Sequence, residues 1–219
     1  MEVKFTLTGM TALLMHSDSI DAADSVKAWQ KDPANKSMSV AGDDRSPAWT
    51  WHGYLYHDGE NVCMPSANLM VCLRQAGAQI PLPKGKNGKT LKEATQACMY
   101  IAEEYCRFHS DGKLIDINAI HQMRLDNMPF TEQADAARGL GFRLFLKRAK
   151  IGQAKHVRCR PRFDNWSVSG LINVVKPEII GKEIIQQLFD IAGNVGLGDW
   201  RPGCKTPGPF GMFKTKLEF

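Results

Sequence analysis

Nowhere does this 219-residue chain approach the roughly 18 consecutive apolar residues that a membrane-spanning helix needs. Its apolar N-terminal run, residues 3–15, is broken by Lys4, Thr6, Thr8 and Gly9, so neither a bilayer span nor a secretory core is read there. A soluble, cytoplasmic protein with no membrane partner is the expectation. The six cysteines, Cys63, Cys72, Cys98, Cys106, Cys159 and Cys204, include no C-x-x-C pair, and reduced thiols are expected. Internal repeats and low-complexity tracts are missing as well. One absence is local: residues 138–162 hold nine Lys or Arg and no Asp or Glu.

What is present is an ordinary globular composition, 43% hydrophobic and 23% charged, enough to bury a core of native size in one domain. The net charge of +5 permits a polyanionic partner without requiring one.

Residues 2–8 alternate Val3, Phe5 and Leu7 with Lys4, Thr6 and Thr8, the period of a strand with one buried face. A long polar insertion follows, with a short helix expected over 21–30. The aromatic run W-T-W-H-G-Y-L-Y-H-D-G-E-N-V-C-M reads as a hairpin turning at Asp58. Pro65 opens a helix over 66–78, and residues 91–109 read as a second helix. A short strand is expected at 113–117. Strands follow at 142–146, 156–162 and 167–175, then a helix over 177–192 and a last strand over 211–219. This order predicts an α+β protein with a ferredoxin-like βαββαβ core, a single domain over 1–219 with insertions at about 16–62 and 80–140.

Two nucleotide motifs fail. G-K-N-G-K-T at 85–90 lacks the spacing of a phosphate-binding P-loop, and the glycines at 193, 196 and 198 follow a helix where a dinucleotide fingerprint opens one. Cys98, Cys106 and His109 complete no tetrahedral metal set. His16, Asp18, Asp21 and Asp24 are acid–base candidates, but no spacing fixes a partner for them. No catalytic residue, metal or cofactor is therefore assigned.

One constellation holds. On the strand over 156–162, Val157, Cys159 and Pro161 share one face and Arg158, Arg160 and Arg162 the other. Unpaired arginines cannot be buried, so their face must meet water, acids or phosphate. The same pattern suits a solvated edge strand that resists aggregation. Near the C-terminus, G-N-V-G-L-G-D-W-R-P-G-C-K-T-P-G-P-F-G packs six glycines and three prolines into residues 193–211. Such a loop can offer bare N–H groups, an indole and two cations to a phosphate-and-base ligand, or serve as a plain surface turn. If the last strand neighbours the arginine strand, both features line one groove.

Three segments resemble the RAMP superfamily, the RRM-like proteins that include the guide-RNA-binding backbone subunits of CRISPR effector complexes. They are L-T-G-M-T-A-L-L-M-H-S-D-S-I-D after the first strand, N-V-C-M-P-S-A-N-L-M-V-C-L-R ending at Arg74, and the C-terminal glycine loop. The helix start M-P-S-A-N and the extra prolines of the loop depart from the usual pattern, as in a stand-alone or phage-borne relative. The resemblance implies an RRM-like core that binds single-stranded RNA, or another single-stranded nucleic acid. It also implies a homo-oligomer or a subunit of a multi-protein ribonucleoprotein complex. Taken with the residues, it points to Arg74, Arg143, Lys147, Arg158, Arg160, Arg162, Gly196, Gly198, Trp200, Arg201 and Lys205 as the binding set. Alternatives are an RNA-processing endoribonuclease of the same fold, a phage single-stranded-DNA-binding protein, or a protein-assembly factor.

Overall fold

The structure, a computed structural model, describes residues 1–82, 89–151 and 153–219. Most of the lysine turn at 84–90 therefore lies outside the described residues. In chain order the elements begin with β1 (Glu2–Gly9), β2 (Leu13–Leu14), α1 (Ile20–Lys31), β3 (Cys63–Pro65) and α2 (Ser66–Gly77). Next come α3 (Lys92–Ala97), β4 (Met99–Ile101), β5 (Tyr105–Ser110), α4 (Ile117–Leu125) and α5 (Phe130–Gly139). The chain closes with β6 (Arg143–Ile151), β7 (Ala154–Phe163), β8 (Trp166–Val174), α6 (Lys182–Val195) and β9 (Phe213–Glu218). The protein is α+β with antiparallel strand pairing, and no helix among the described residues is long and apolar enough to cross a membrane.

Contacts divide the chain into two compact units. The first comprises Met1–Leu13, Cys63–Gly112 and Asp164–Phe219. Its sheet runs β3-β5-β8-β1-β9, with β4 also paired to β8. Val3, Phe5 and Leu7 are buried on one face of β1 while Lys4, Thr6 and Thr8 are exposed on the other. Helix α6 meets this apolar face, with the Phe5 and Phe189 rings 5.7 Å apart, and α2 packs on α6, where buried Cys72 donates to the Ala192 and Gly196 carbonyls at 3.4 and 3.3 Å.

The second unit comprises Leu14–Val62 and Lys113–Phe163; it holds β6 and β7 of the three-stranded sheet β2-β7-β6, and the unit boundary falls within the two-residue β2. Its core stacks Trp51, Phe142 and Phe163, with Phe142 and Phe163 5.2 Å apart. Buried Gln133 accepts from Trp51 Nε1 at 2.8 Å and donates to the Met128 carbonyl at 2.7 Å, which ties α5 to the aromatic segment.

Three expected elements change. The helix expected over 91–109 stops at Ala97, because Cys106, Phe108 and Ser110 alternate with outward Tyr105, Arg107 and His109, the period of a strand. Of the expected aromatic hairpin, the turn at Asp58 is present, closed by the antiparallel bridge of His57 with Val62 and by the Asp58 N–H donating to the Asn61 carbonyl, but the run before it is a short 3₁₀ helix, Thr50–Tyr54, and not a strand. Trp51 has its burial in the core to satisfy, and that outweighs the β propensity of its neighbours. At 113–117 there is one bridge, Asn61 to Asp116; the Asp116 carboxylate caps α4 by accepting from the Asn118 N–H.

Candidate nucleic-acid interface

The basic window folds as a long antiparallel pair, and its register decides which cations meet. Arg143 lies opposite Arg162, Phe145 opposite Arg160, and Lys147 opposite Arg158. Opposed residues of an antiparallel pair share a face, so five cations and one ring are gathered on one side of β6 and β7. On its other side β7 turns Cys159, Pro161 and Phe163 inward, and all three are buried. Two opposed pairs on the basic face, Arg143 with Arg162 and Lys147 with Arg158, set cation against cation, which works against strand pairing. Lys150 opposite Lys155 repeats this on the reverse face.

Part of this face is held from within the protein. The segment around Gly42 runs beside β7: the Val157 N–H donates to the Gly42 carbonyl and the Asp44 N–H to the Val157 carbonyl, each at 2.9 Å. Gly42 has φ +74°, and a Cβ there would collide with the His156 ring, so glycine alone admits this approach. The approach delivers Asp44, 5% exposed, to the strand. Its carboxylate accepts from Arg158 at 2.9 Å, from Arg160 at 3.1 Å and from the Cys159 N–H at 3.0 Å. The Arg160 guanidinium also lies 4.3 Å over the Tyr54 ring, and its side chain is only 12% exposed. Arg158 is one-third exposed, Arg162 half-buried with its guanidinium 5.9 Å from the Phe145 ring, and Arg143 and Lys147 exposed. Arg160 is thus chiefly structural; the outer cations of the face are Arg143, Lys147, Arg162 and, in part, Arg158.

The C-terminal loop belongs to the first unit and the arginine strand to the second. Strand β9 neighbours β1, whereas β7 neighbours β2 and β6. The premise that the last strand adjoins the arginine strand is therefore corrected: the β2-β7-β6 sheet closes with its own strands. The loop's N–H groups are also largely engaged. Those of Gly196, Leu197, Gly203, Gly208 and Gly211 donate to the carbonyls of Ala192, Gly211, Val195, Arg201 and Ala12. Gly196 and Gly198 take φ of +80° and +76°, and Trp200 takes +48° with its ring 5.5 Å from Phe210. Arg201 donates to Gln75 Oε1 at 3.2 Å and contacts Cys204 Sγ at 3.0 Å, so it pins the loop to α2. Arg74, on the same helix, is exposed and reaches Gln96 Oε1 at 3.4 Å; Lys205 is exposed.

In the second unit a cavity of about 270 Å³ is bordered by His16, Asp18, Asp43, Asp44, Tyr54 and Arg158, among others. His16 packs edge-on to Tyr54 at 4.9 Å. Of the four acid–base candidates, His16 and Asp18 border this cavity, while Asp21 and Asp24 are exposed on α1 and do not. No group of three or more metal-ligating side chains occurs among the described residues. The cysteines carry no disulfide; all but Cys204 are buried, and burial pushes the thiols of Cys72, Cys106 and Cys159 up to about 12.

Sequence reasoning missed Asp44, which sits in a polar stretch with no periodicity to mark it. It also missed Trp29 and Trp49, whose setting in the insertion gave no sign of a shared cavity. No protein-family model matches the chain, and no curated protein is significantly similar to it.

Proposed function

We propose that this protein binds single-stranded nucleic acid, with RNA as the ligand, as a backbone-type subunit of a ribonucleoprotein assembly. The observation that carries the reading is the register of β6 and β7. Arg143, Lys147, Arg158 and Arg162 lie on one face with cation opposed to cation, against local strand stability, and with an aromatic ring among them. Such a face gains from an anion that is itself a chain of charges, and Phe145 adds a surface on which a base can stack.

The first unit supports the accompanying fold reading. Its main elements follow β1, α2, β5, β8, α6 and β9, and its strands lie in the order β5-β8-β1-β9. This is the order of a ferredoxin-like (RRM-like) core, and it agrees with the RAMP resemblance. On this reading the second unit is an elaboration that presents the basic hairpin.

The test is fluorescence anisotropy with labelled single-stranded RNA, single-stranded DNA and duplex RNA across a salt series. Binding of the single strands that weakens steeply with salt is expected. No affinity for any single strand at low salt would sink the proposal, and preference for DNA would redirect it.

A second reading rests on the cavity that joins His16 and Asp18 to Arg158: cleavage of the bound RNA there, with the imidazole moving a proton. Labelled RNA incubated with and without a chelator, using the parent chain and His16→Ala, decides it. Uncut RNA removes this reading.

A further inference from the structure

A second cavity of the second unit, about 280 Å³, differs in chemistry from the one beside His16. It is bordered by Trp29, Trp49, Met38, Met128, Arg45 and Asn127, among others, and none of its lining residues is acidic. The cavity beside His16, by contrast, has three aspartates in its wall. The walls are fixed before any ligand arrives. Ser46 Oγ donates to the Met38 carbonyl at 2.6 Å and accepts from the Val40 N–H at 3.0 Å, while Gln133 holds the Met128 carbonyl. The Arg124 guanidinium lies 3.9 Å over the Trp49 ring and has no acidic partner among the described residues. Arg45 is paired with Asp43.

Two indoles and the amides of Asn35 and Asn127 in the lining, with the Arg124 guanidinium beside the cavity on the Trp49 ring though not itself lining it, make a setting for a flat, polarisable, uncharged ring carried on an anionic chain. The volume, about 280 Å³, is just under the range of small-ligand sites, about 300–1,000 Å³, which suits one ring system. We infer that this cavity receives one nucleobase of the bound single strand, with Trp29 as the accessible stacking surface and Arg124 drawing in the adjoining phosphate. Charge complementarity favours this occupant over an acceptor-lined or cation-binding role. The inference rests on the proposed nucleic-acid binding, and its test separates the two.

The experiment compares the parent chain with Trp29→Ala, Trp29→Phe and Arg124→Ala, titrated with a labelled oligoribonucleotide and, separately, with inorganic polyphosphate, which has the charge but no bases. Trp29 is half-buried on α1, so thermal melting of each variant checks the fold. Trp29→Ala is expected to weaken oligoribonucleotide binding roughly tenfold, with Trp29→Phe recovering most of the loss. Its salt slope and polyphosphate affinity stay unchanged, because a stacking contact releases no counterion. Arg124→Ala is expected to lower the slope. If the folded Trp29→Ala variant binds the oligoribonucleotide as the parent does, the cavity is not a base site. Equal losses for polyphosphate and RNA also overturn it, as does parent self-association in sedimentation that Trp29→Ala abolishes, which assigns the cavity to a second copy. A parent chain that binds no single strand overturns the nucleic-acid reading itself.

Discussion

Asp44 accepts a hydrogen bond from Arg160 at 3.1 Å, and this contact turns an arginine expected to face a ligand into part of the fold. The carboxylate is 5% exposed and serves Arg158 and a backbone N–H as well, so three donors depend on one residue. On the proposed reading, Arg143, Lys147 and Arg162, which lie farther out on the same face, would meet the nucleic acid.

Asp44→Ala should therefore destabilise the protein by about 3 kcal/mol, since removing one partner of a buried pair leaves charge uncompensated. Urea unfolding followed by tryptophan fluorescence measures it. A loss below about 1 kcal/mol would mean that the arginines are merely solvated.

The proposed binding face is tested by changing Arg143, Lys147 and Arg162 together to Ala. Arg158 and Arg160 are left in place because they hold Asp44. The slope of log affinity against log salt should fall by about 0.7 per lost phosphate contact, so by about 2, with little change in melting temperature. An unchanged slope would show that the hairpin does not touch the phosphates.

His52 gives a pH signature. Its Nε2 lies 3.2 Å from Gln133 Oε1, an acceptor already holding Trp51, so Nε2 carries the proton, and Nδ1 is buried without a partner among the described residues. Burial lowers its pKa from 6.5 to about 3. The unfolded chain therefore binds a proton that the folded one refuses between these values. The full contribution to stability is present above pH 6.5 and is lost on acidification towards pH 3, by roughly 1.4 kcal/mol per pH unit. Urea unfolding of the parent and His52→Gln at pH 7 and pH 5 should show a smaller acid loss in the variant. Parallel losses would refute the assignment.

Gly211 has φ +75°, and a Cβ there would run into the Leu197 carbonyl. Its own carbonyl accepts from the Leu197 N–H at 2.9 Å, closing the C-terminal loop on itself. Gly211→Ala should cost roughly 2–4 kcal/mol, from backbone strain and overpacking together. Differential scanning calorimetry reads it as a lowered melting temperature, and an unchanged value would mean that the loop adjusts freely.

Strand β1, helix α2 and strand β7 are legible in the sequence, because alternation and helical spacing depend on neighbours along the chain. The inward placement of Cys159 and Pro161, against Arg158, Arg160 and Arg162, follows from the same two-residue period. Tertiary structure alone decided that Asp44, 114 residues from Arg158, meets it across a strand pairing. It also decided that the glycine loop uses its N–H groups internally, and that Trp29 and Trp49 border one cavity with Met128. The reason is physical. Periodicity tells each side chain which way to face, but the partner it finds there depends on how distant segments pack, and no local pattern of charge or polarity records that choice.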